Sequence, residues 1–322
     1  MSPRCLAPLL AVVTLAAAAS PATAANPWLG GPVLNIAHQG GEDQFPSNTL
    51  YAFKKAVKAG SDMLELDIGV TKDGKVVVLH DTTVDRVTNG TGTVISKTLK
   101  QIKKLDGAYW FSSSEGHYDH DKAKSAYKFR GIATGKRKPP KGFKATDFRI
   151  ATLSEVMKAF PKTPINIEIK GRTKAETEDE YLANADVLAA LLKGTTRTDL
   201  VVVSFKQKAV DRFHELVPAI SVSPGVEGLA AWAFSNQSPG DGVETFDPPM
   251  TYQFGDTKID TTAYIQRAHD EGYAWHSWFS GDDVDGPSGW TTLVNLCADG
   301  IMTAHPSALE AFLKAHPRPA TC

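Results

Sequence analysis

Three acidic side chains interrupt runs that would otherwise be apolar strands: Glu65 and Asp67 in "LELDI", and Glu168 in "NIEIK". Side chains alternate across a strand, so Glu65 and Asp67 share a face while Leu64, Leu66 and Ile68 take the other. Two carboxylates so placed repel each other, and burial makes the repulsion worse unless a proton or a cation offsets it. Any one of these acids could be a core residue satisfied by a salt bridge. Three acids on strand patterns point instead to a hard divalent cation. Such a cation takes carboxylate oxygens and leaves positions open for water or phosphate, which suits Mg²⁺ or Ca²⁺. Lys170, on the same face as Glu168, adds a fixed positive charge suited to an anionic substrate.

Two histidines extend this set. His38 ends the strand pattern "NIAH", where barrel enzymes carry catalytic side chains. His80 ends a return run after the turn Lys72-Asp73-Gly74, so residues 64–80 read as a hairpin. Pairing Thr71 with Lys75 sets His80 beside Leu66, between the levels of Glu65 and Asp67. An imidazole pair near a metal can take a proton from a nucleophile and give one to a leaving alkoxide, as phosphodiester cleavage requires. Two rivals remain. A glycosidase would work with carboxylates alone and a stacking Trp275 or Trp278, leaving the histidines without a task. A binding barrel without turnover is the other.

Eight strand patterns ("VLNIAH", "MLELDIGV", "INIEIK", "LVVVSF", "AISVS", "MTYQF", "YAWHSWF", "GIMTA") alternate with helical ones. "NTLYAFKKAVKAG" has an apolar helical period ending at Gly60, and "TLSEVMKAFP" opens with a Thr152–Glu155 capping box. This pattern predicts an α/β fold: a closed (β/α)8 TIM barrel with a β-hairpin after strand 2. Residues 86–149 break the alternation with polar, Gly- and Pro-rich sequence around "AYWF", and read as an inserted cap near the substrate mouth. Its "HYDHD" is more simply solvated than metal-binding, whereas "AYWF" could meet acyl chains.

The chain has 322 residues, 42% hydrophobic, with net charge -1 and no long like-charge run, so nothing recruits nucleic acid. Residues 1–25 read as a secretory signal: Arg4, an apolar run, then "ATA" to Ala24. The expected product is a secreted catalytic domain, 26–322, without stable membrane insertion. Cys297 and Cys322 could close one disulfide in an oxidising compartment or remain free thiols. No feature sets an oligomeric state.

"HQGGEDQFPSNTLYAF" and "ELDIGVTKDGKVVVLHDTTVDRVTNGTG", followed in order by "NIEIK", "SF" and "GIMT", resemble the motifs of the glycerophosphodiester phosphodiesterases. The resemblance implies a divalent metal held by Glu65, Asp67 and Glu168, an acid–base pair of His38 and His80, and Lys170 beside the phosphate. It implies hydrolysis of a small glycerophosphodiester to sn-glycerol 3-phosphate and an alcohol, by direct water attack or through a cyclic phosphate. A phospholipase D-like enzyme acting on lysophospholipid or sphingomyelin is the related alternative. The family usually has Arg where this chain has Gln39, and Glu where it has Ser47. Gln39 can offer phosphate only a neutral hydrogen bond in place of a bidentate one. If the two positions pair in relatives, both charges are lost here together. Export favours Ca²⁺ over Mg²⁺, since Ca²⁺ is plentiful outside cells.

Overall fold

Strands and helices alternate in a computed structural model that describes residues 26–113, 117–254 and 256–322; the expected signal segment, 1–25, lies outside them. The strands are β1 (Leu34–Ala37), β2 (Met63–Val70), β3 (Val76–Val78), β4 (Ile165–Ile169), β5 (Leu200–Val203), β6 (Ser221–Val222), β7 (Thr245–Phe246), β8 (Thr251–Phe254), β9 (Thr257–Asp260), β10 (Ala274–Ser277) and β11 (Gly300–Thr303). The helices are α1 (Leu50–Ala59), α2 (Leu99–Ile102), α3 (Leu153–Ala159), α4 (Glu178–Leu192), α5 (Gln207–Leu216), α6 (Val226–Ser235), α7 (Ile265–Asp270), α8 (Pro287–Asn295) and α9 (Pro306–Ala315). Eight strands run parallel in the order β6-β5-β4-β2-β1-β11-β10-β7. The gap between β6 and β7 is bridged by Val222 and Val243, with Val222 N–H donating to Gly242 O at 3.0 Å and Glu244 N–H to Val222 O at 3.2 Å. The result is the expected eight-stranded barrel with helices outside.

Local sequence accounts for the elements that carry the site. The Thr49 hydroxyl accepts from Ala52 N–H at the start of α1, and Gly60, at φ 110°, ends it in the left-handed region that favours glycine. Thr152 and Glu155 form the expected capping box on α3. β3 returns antiparallel on β2 with Val78 opposite Ile68, and Leu79 N–H reaches Asp67 O at 3.0 Å. That register brings His80 level with Leu66, as the turn chemistry predicts.

One strand differs from expectation. "MTYQF" forms β8, which pairs only with β9 in a separate antiparallel hairpin, and the sixth barrel strand is the two-residue β7. Pro248 and Pro249, just beyond β7, offer no N–H, so the ladder to β10 breaks after Phe246 and resumes only as a single bridge between Pro249 and Trp278. The β-branched and aromatic pattern at 251–254 was the stronger signal, for the wrong partner.

The barrel interior is layered. Ile36, Met63, Val201 and Ala274 form an apolar lower layer closed by Trp28. Outward-facing Leu64, Leu66, Ile68, Ile167 and Ile169 pack under the helices. Residues 86–149 hold α2 and short 3-10 turns. They pack on the barrel through Tyr51, whose ring lies 5.1, 4.6 and 4.5 Å from Phe129, Phe143 and Phe148. Tyr109 and Trp110 of "AYWF" close over the Arg130 guanidinium at 4.2 and 4.5 Å, so these aromatics serve the insert's own packing.

Cys297 and Cys322 are joined in a disulfide that ties down the C-terminal tail. Beside it the buried Asp299 carboxylate accepts from Gly30 N–H (3.0 Å), Trp275 N–H (2.9 Å), His269 Nε2 (2.7 Å) and Arg318 Nη1 (2.9 Å). One side chain thereby joins the N-terminal segment, β10, α7 and the tail. Burial alone would raise its pKa, but His269 and the two N–H groups outweigh it and hold the carboxyl below its usual range. Asp299→Ala is expected to cost about 3–5 kcal/mol of unfolding free energy at neutral pH, because Arg318 and His269 lose a buried partner. A depressed carboxyl stabilises above its unfolded pKa of about 4, and that stability is lost as pH falls through the lower folded value. The gap between wild type and variant should therefore narrow in acid; urea titrations giving equal stabilities at pH 7 would remove Asp299 from this role.

Candidate active site

β2 and β4 lie side by side in register, Glu65 opposite Asn166 and Asp67 opposite Glu168, with all four side chains pointing into the barrel. One oxygen each from Glu65, Asp67 and Glu168 lie within 4.8 Å of one another. Lys170 Nζ sits 2.7 Å from Glu168 Oε1 and 3.4 Å from Asp67 Oδ1. Asn48 Nδ2–H donates to Asp67 Oδ2 at 2.9 Å, and the backbone N–H of Gln39 donates to Glu65 Oε2 at 2.7 Å. That last contact needs an unusual turn after β1. Gln39 itself has φ 49°, and a Cβ on Gly40 would meet Ala52 and Phe53 side-chain atoms at 2.9 Å.

The electrostatics of this cluster fit a divalent cation. Burial, reinforced by Asp67 and Glu168 against the opposing pull of His38, pushes Glu65 well above the usual carboxylate range. Burial also raises Glu168, although Lys170 resists it. Asp67 is lowered: burial opposes its charge, but Lys170, His80 and His38 prevail. Lys170 is raised, since Glu168 and Asp67 more than offset its own burial. One ammonium therefore faces three acids. Asp67 Oδ1 is buried without a hydrogen bond. An all-oxygen donor set with net negative charge suits Mg²⁺ or Ca²⁺.

Both histidines reach this cluster, each anchored at Nδ1 by a carboxylate. His38 Nδ1 bonds to Glu42 Oε1, which leaves Nε2 facing Glu65 Oε2 at 3.8 Å. His80 Nδ1 bonds to Asp81 Oδ1 at 2.9 Å, and Arg86 grips the same carboxylate with two N–H groups at 2.7 and 2.9 Å. Burial works against a charge on His38, yet Glu42 and Glu65 raise its pKa to about 10. Burial opposes the Asp81 charge too, but His80 and Arg86 hold its carboxyl far below the usual range. His38, His80, Glu65, Glu168 and Lys170 line one cleft, whose lining also includes Phe205, Leu229, Tyr252 and Trp278. Trp278 stacks on His38, with ring centroids 6.5 Å apart and planes 18° apart.

Six of the seven residues singled out from the sequence thus meet at the C-terminal end of the barrel. Gln39 stands apart from them: it is buried, is not among the residues lining the cleft, and its backbone N–H donates to Glu65. The Ser47 hydroxyl accepts from Tyr118 of the insert at 2.8 Å. Of the two tryptophans, Trp278 faces the cleft and Trp275 belongs to the core behind it. In "HYDHD", His117 pairs with Asp43 at 3.2 Å and His120 stacks on Trp110 at 3.9 Å. Sequence reasoning missed Glu42, Asn48 and Asp81. Glu42 stands four residues from His38 across a tight turn, a spacing that carries no signal until the turn's path is known. Asp81, adjacent to His80, was open to notice.

Comparison with known proteins identifies the family of this chain. The family model described as "Glycerophosphoryl diester phosphodiesterase family" matches residues 38–308. A Bacillus subtilis (strain 168) glycerophosphodiester phosphodiesterase is 27% identical over 289 residues, covering 88% of this chain and 87% of that protein. One from Caldanaerobacter subterraneus subsp. tengcongensis is 54% identical over 78 residues, 24% of this chain and 32% of that protein. Among solved structures, an Oleispira antarctica phosphodiesterase in complex with the product sn-glycerol-3-phosphate superposes with a TM-score of 0.62, at 19% identity over 87% of this chain and 96% of that one. A glycerophosphodiester phosphodiesterase from Agrobacterium tumefaciens gives 0.57, at 20% identity over 85% and 98%. At such identities the structural likeness speaks for the barrel, while the family match extends from His38, through both histidines, all three acids and Lys170, to the last helix. The chain belongs to the glycerophosphoryl diester phosphodiesterase family, and with it to the phosphoric diester hydrolases.

Proposed function

We propose that residues 26–322 form an exported, divalent-cation-dependent phosphodiesterase that hydrolyses glycerophosphodiesters to sn-glycerol 3-phosphate and an alcohol. The observation that carries this reading is the meeting, in one cleft, of three buried carboxylates with two imidazoles anchored by carboxylates. The relatives' activity and the product bound in the Oleispira antarctica phosphodiesterase support it. Export is supported by the leader pattern in residues 1–25 and by the Cys297–Cys322 disulfide. No helix of the described residues is long and apolar enough to cross a membrane.

Glu65, Asp67 and Glu168 would hold the cation, Ca²⁺ in preference to Mg²⁺ outside a cell. When bound it supplies positive charge to phosphate oxygens. Lys170, kept protonated by its carboxylate neighbours, balances the charge that develops on the phosphoryl group. Glu42 and Asp81 hold the two rings with Nε2 free for the cleft. One imidazole takes the proton of the attacking oxygen as its bond to phosphorus forms. The other protonates the departing alkoxide as the P–O bond breaks. The apolar wall of Phe205, Leu229 and Tyr252 favours lysophospholipid as a second substrate reading, which glycerophosphocholine and lysophosphatidylcholine assayed side by side would separate.

Cation binding should be visible without turnover. Ca²⁺ or Mg²⁺ at 100 times its dissociation constant should stabilise the fold by about 2.7 kcal/mol, read as a rise in melting temperature. That rise should vanish in Asp67→Asn; a rise of the same size in the variant would place the cation elsewhere. On glycerophosphocholine, His80→Ala should lower kcat by about 10²–10⁴-fold with the cation-induced shift retained. A variant keeping wild-type kcat would remove His80 from the chemistry.

A further inference from the structure

Tyr118, in the insert, has its hydroxyl on one segment of the catalytic end and its ring on another. The hydroxyl accepts from Ser47 N–H at 2.7 Å and donates to Ser47 Oγ at 2.8 Å. The Arg86 guanidinium lies over the ring, 4.8 Å from its centroid. Burial pushes the phenol up to about 12 although both Ser47 bonds pull the other way, so the hydroxyl keeps the proton that lets it donate and accept at once. Burying a phenol oxygen costs free energy unless it is bonded, and Phe111, packed 5.7 Å away on the same ring, fills space without one. The Tyr118 hydroxyl therefore serves its bonds to Ser47, where the family usually has Glu.

Each contact leads into the site within a few bonds. On the ring side, Arg86 gives two N–H groups to Asp81, and Asp81 Oδ1 is bonded to His80 Nδ1. The His80 side chain is 42% exposed, so the Asp81 carboxylate sets its orientation more than packing does. Asp81 can hold that ring still only if the half-exposed Arg86 is itself held, and the face of Tyr118 does this. On the hydroxyl side, Ser47 precedes Asn48, whose backbone sits at φ 58°. Asn48 N–H donates to Gln39 O at 2.8 Å, its side chain donates to Asp67, and Gln39 N–H donates to Glu65. His117, beside Tyr118, reaches Asp43 at 3.2 Å, so the insert meets the connection between β1 and α1 at two points.

We propose that Tyr118 is a positioning residue: holding Ser47 with its hydroxyl and Arg86 with its ring, it locks the β1–α1 connection to the Arg86–Asp81–His80 relay, and the insert thereby completes the catalytic end of the barrel. This rests on the phosphodiesterase reading above and extends it to the residues that orient the reacting groups. Tyr118 acts through Arg86 and Asn48. The consequence falls on the chemical step, because proton transfer needs the imidazole within hydrogen-bond reach, and a misplacement of about 1 Å costs on the order of 100-fold in rate. Substrate affinity, set by the cleft walls and Lys170, should change little.

The test is steady-state turnover of glycerophosphocholine with Ca²⁺ or Mg²⁺, paired with thermal melting of each variant. Tyr118→Phe keeps the ring over Arg86 and removes only the hydroxyl; kcat should fall about 10-fold with KM within about twofold of wild type. Tyr118→Leu also removes the ring and should lower kcat about 100-fold. Coupling supplies a readout that a merely structural residue would not give. In an Asp81→Asn background, where Arg86 no longer grips a carboxylate, the tenfold step from Phe to Leu should shrink below about threefold, since residues acting as a unit are not additive. Wild-type kcat in a folded Tyr118→Phe, a change confined to KM, or a full tenfold step in the Asp81→Asn background would overturn the proposal. If Tyr118→Leu does not fold, Tyr118→Phe decides alone, and loss of its cooperative melting would mark Tyr118 as structural and overturn the proposal too. No turnover by wild type with either cation would overturn the phosphodiesterase reading, and this one with it.

Discussion

The mutual repulsion of Glu65, Asp67 and Glu168 is the constraint around which the rest of the site is arranged. Three buried carboxylates within 4.8 Å of one another are not sustained by the single ammonium of Lys170, and the upward displacement of Glu65 and Glu168 expresses that deficit. A bound divalent cation would offset it. The fold contributes rigidity: the acids stand on adjacent, hydrogen-bonded strands, so they cannot relax apart without breaking the β2–β4 ladder.

The surrounding groups act on that centre in two ways. Asn48 and the Gln39 backbone neutralise parts of Asp67 and Glu65 through hydrogen bonds from loops held at positive φ. Glu42 and Asp81 then aim the two imidazoles at it from opposite sides of the sequence motif, one from the turn after β1 and one from the end of the hairpin. The insert is tied in at the same place, since Tyr118 bonds both to the hydroxyl and to the backbone N–H of Ser47. Where the family usually has a glutamate, this chain thus has a neutral contact to its own insert. Gln39 is buried, with its backbone N–H given to Glu65.

Much of this was legible in the residues. The acid positions, the capping boxes and the Lys72-Asp73-Gly74 turn are local signals, and each produced the element or register that it implied. β7 was not legible: two residues, then Asp247 and two prolines, have no periodicity to detect. The backbone contact of Gln39 to Glu65 was not legible, because it depends on a left-handed φ of 49° that residue type does not announce. Glu42 and the bonding of Tyr118 to Ser47 were invisible for a related reason, since both depend on contacts that no spacing rule encodes.

The sequence by itself determined the chemistry available: which faces carry acids, where imidazoles end a strand, and that strands and helices must alternate into a barrel. Those properties follow from side-chain periodicity and turn stereochemistry, which act over a few residues. Tertiary structure decided which of those groups meet, which tryptophan faces the cleft, and which polar atoms stay buried without partners. These outcomes depend on the register of strands brought together from distant parts of the chain, and a shift of one residue would have turned every one of those side chains to the opposite face.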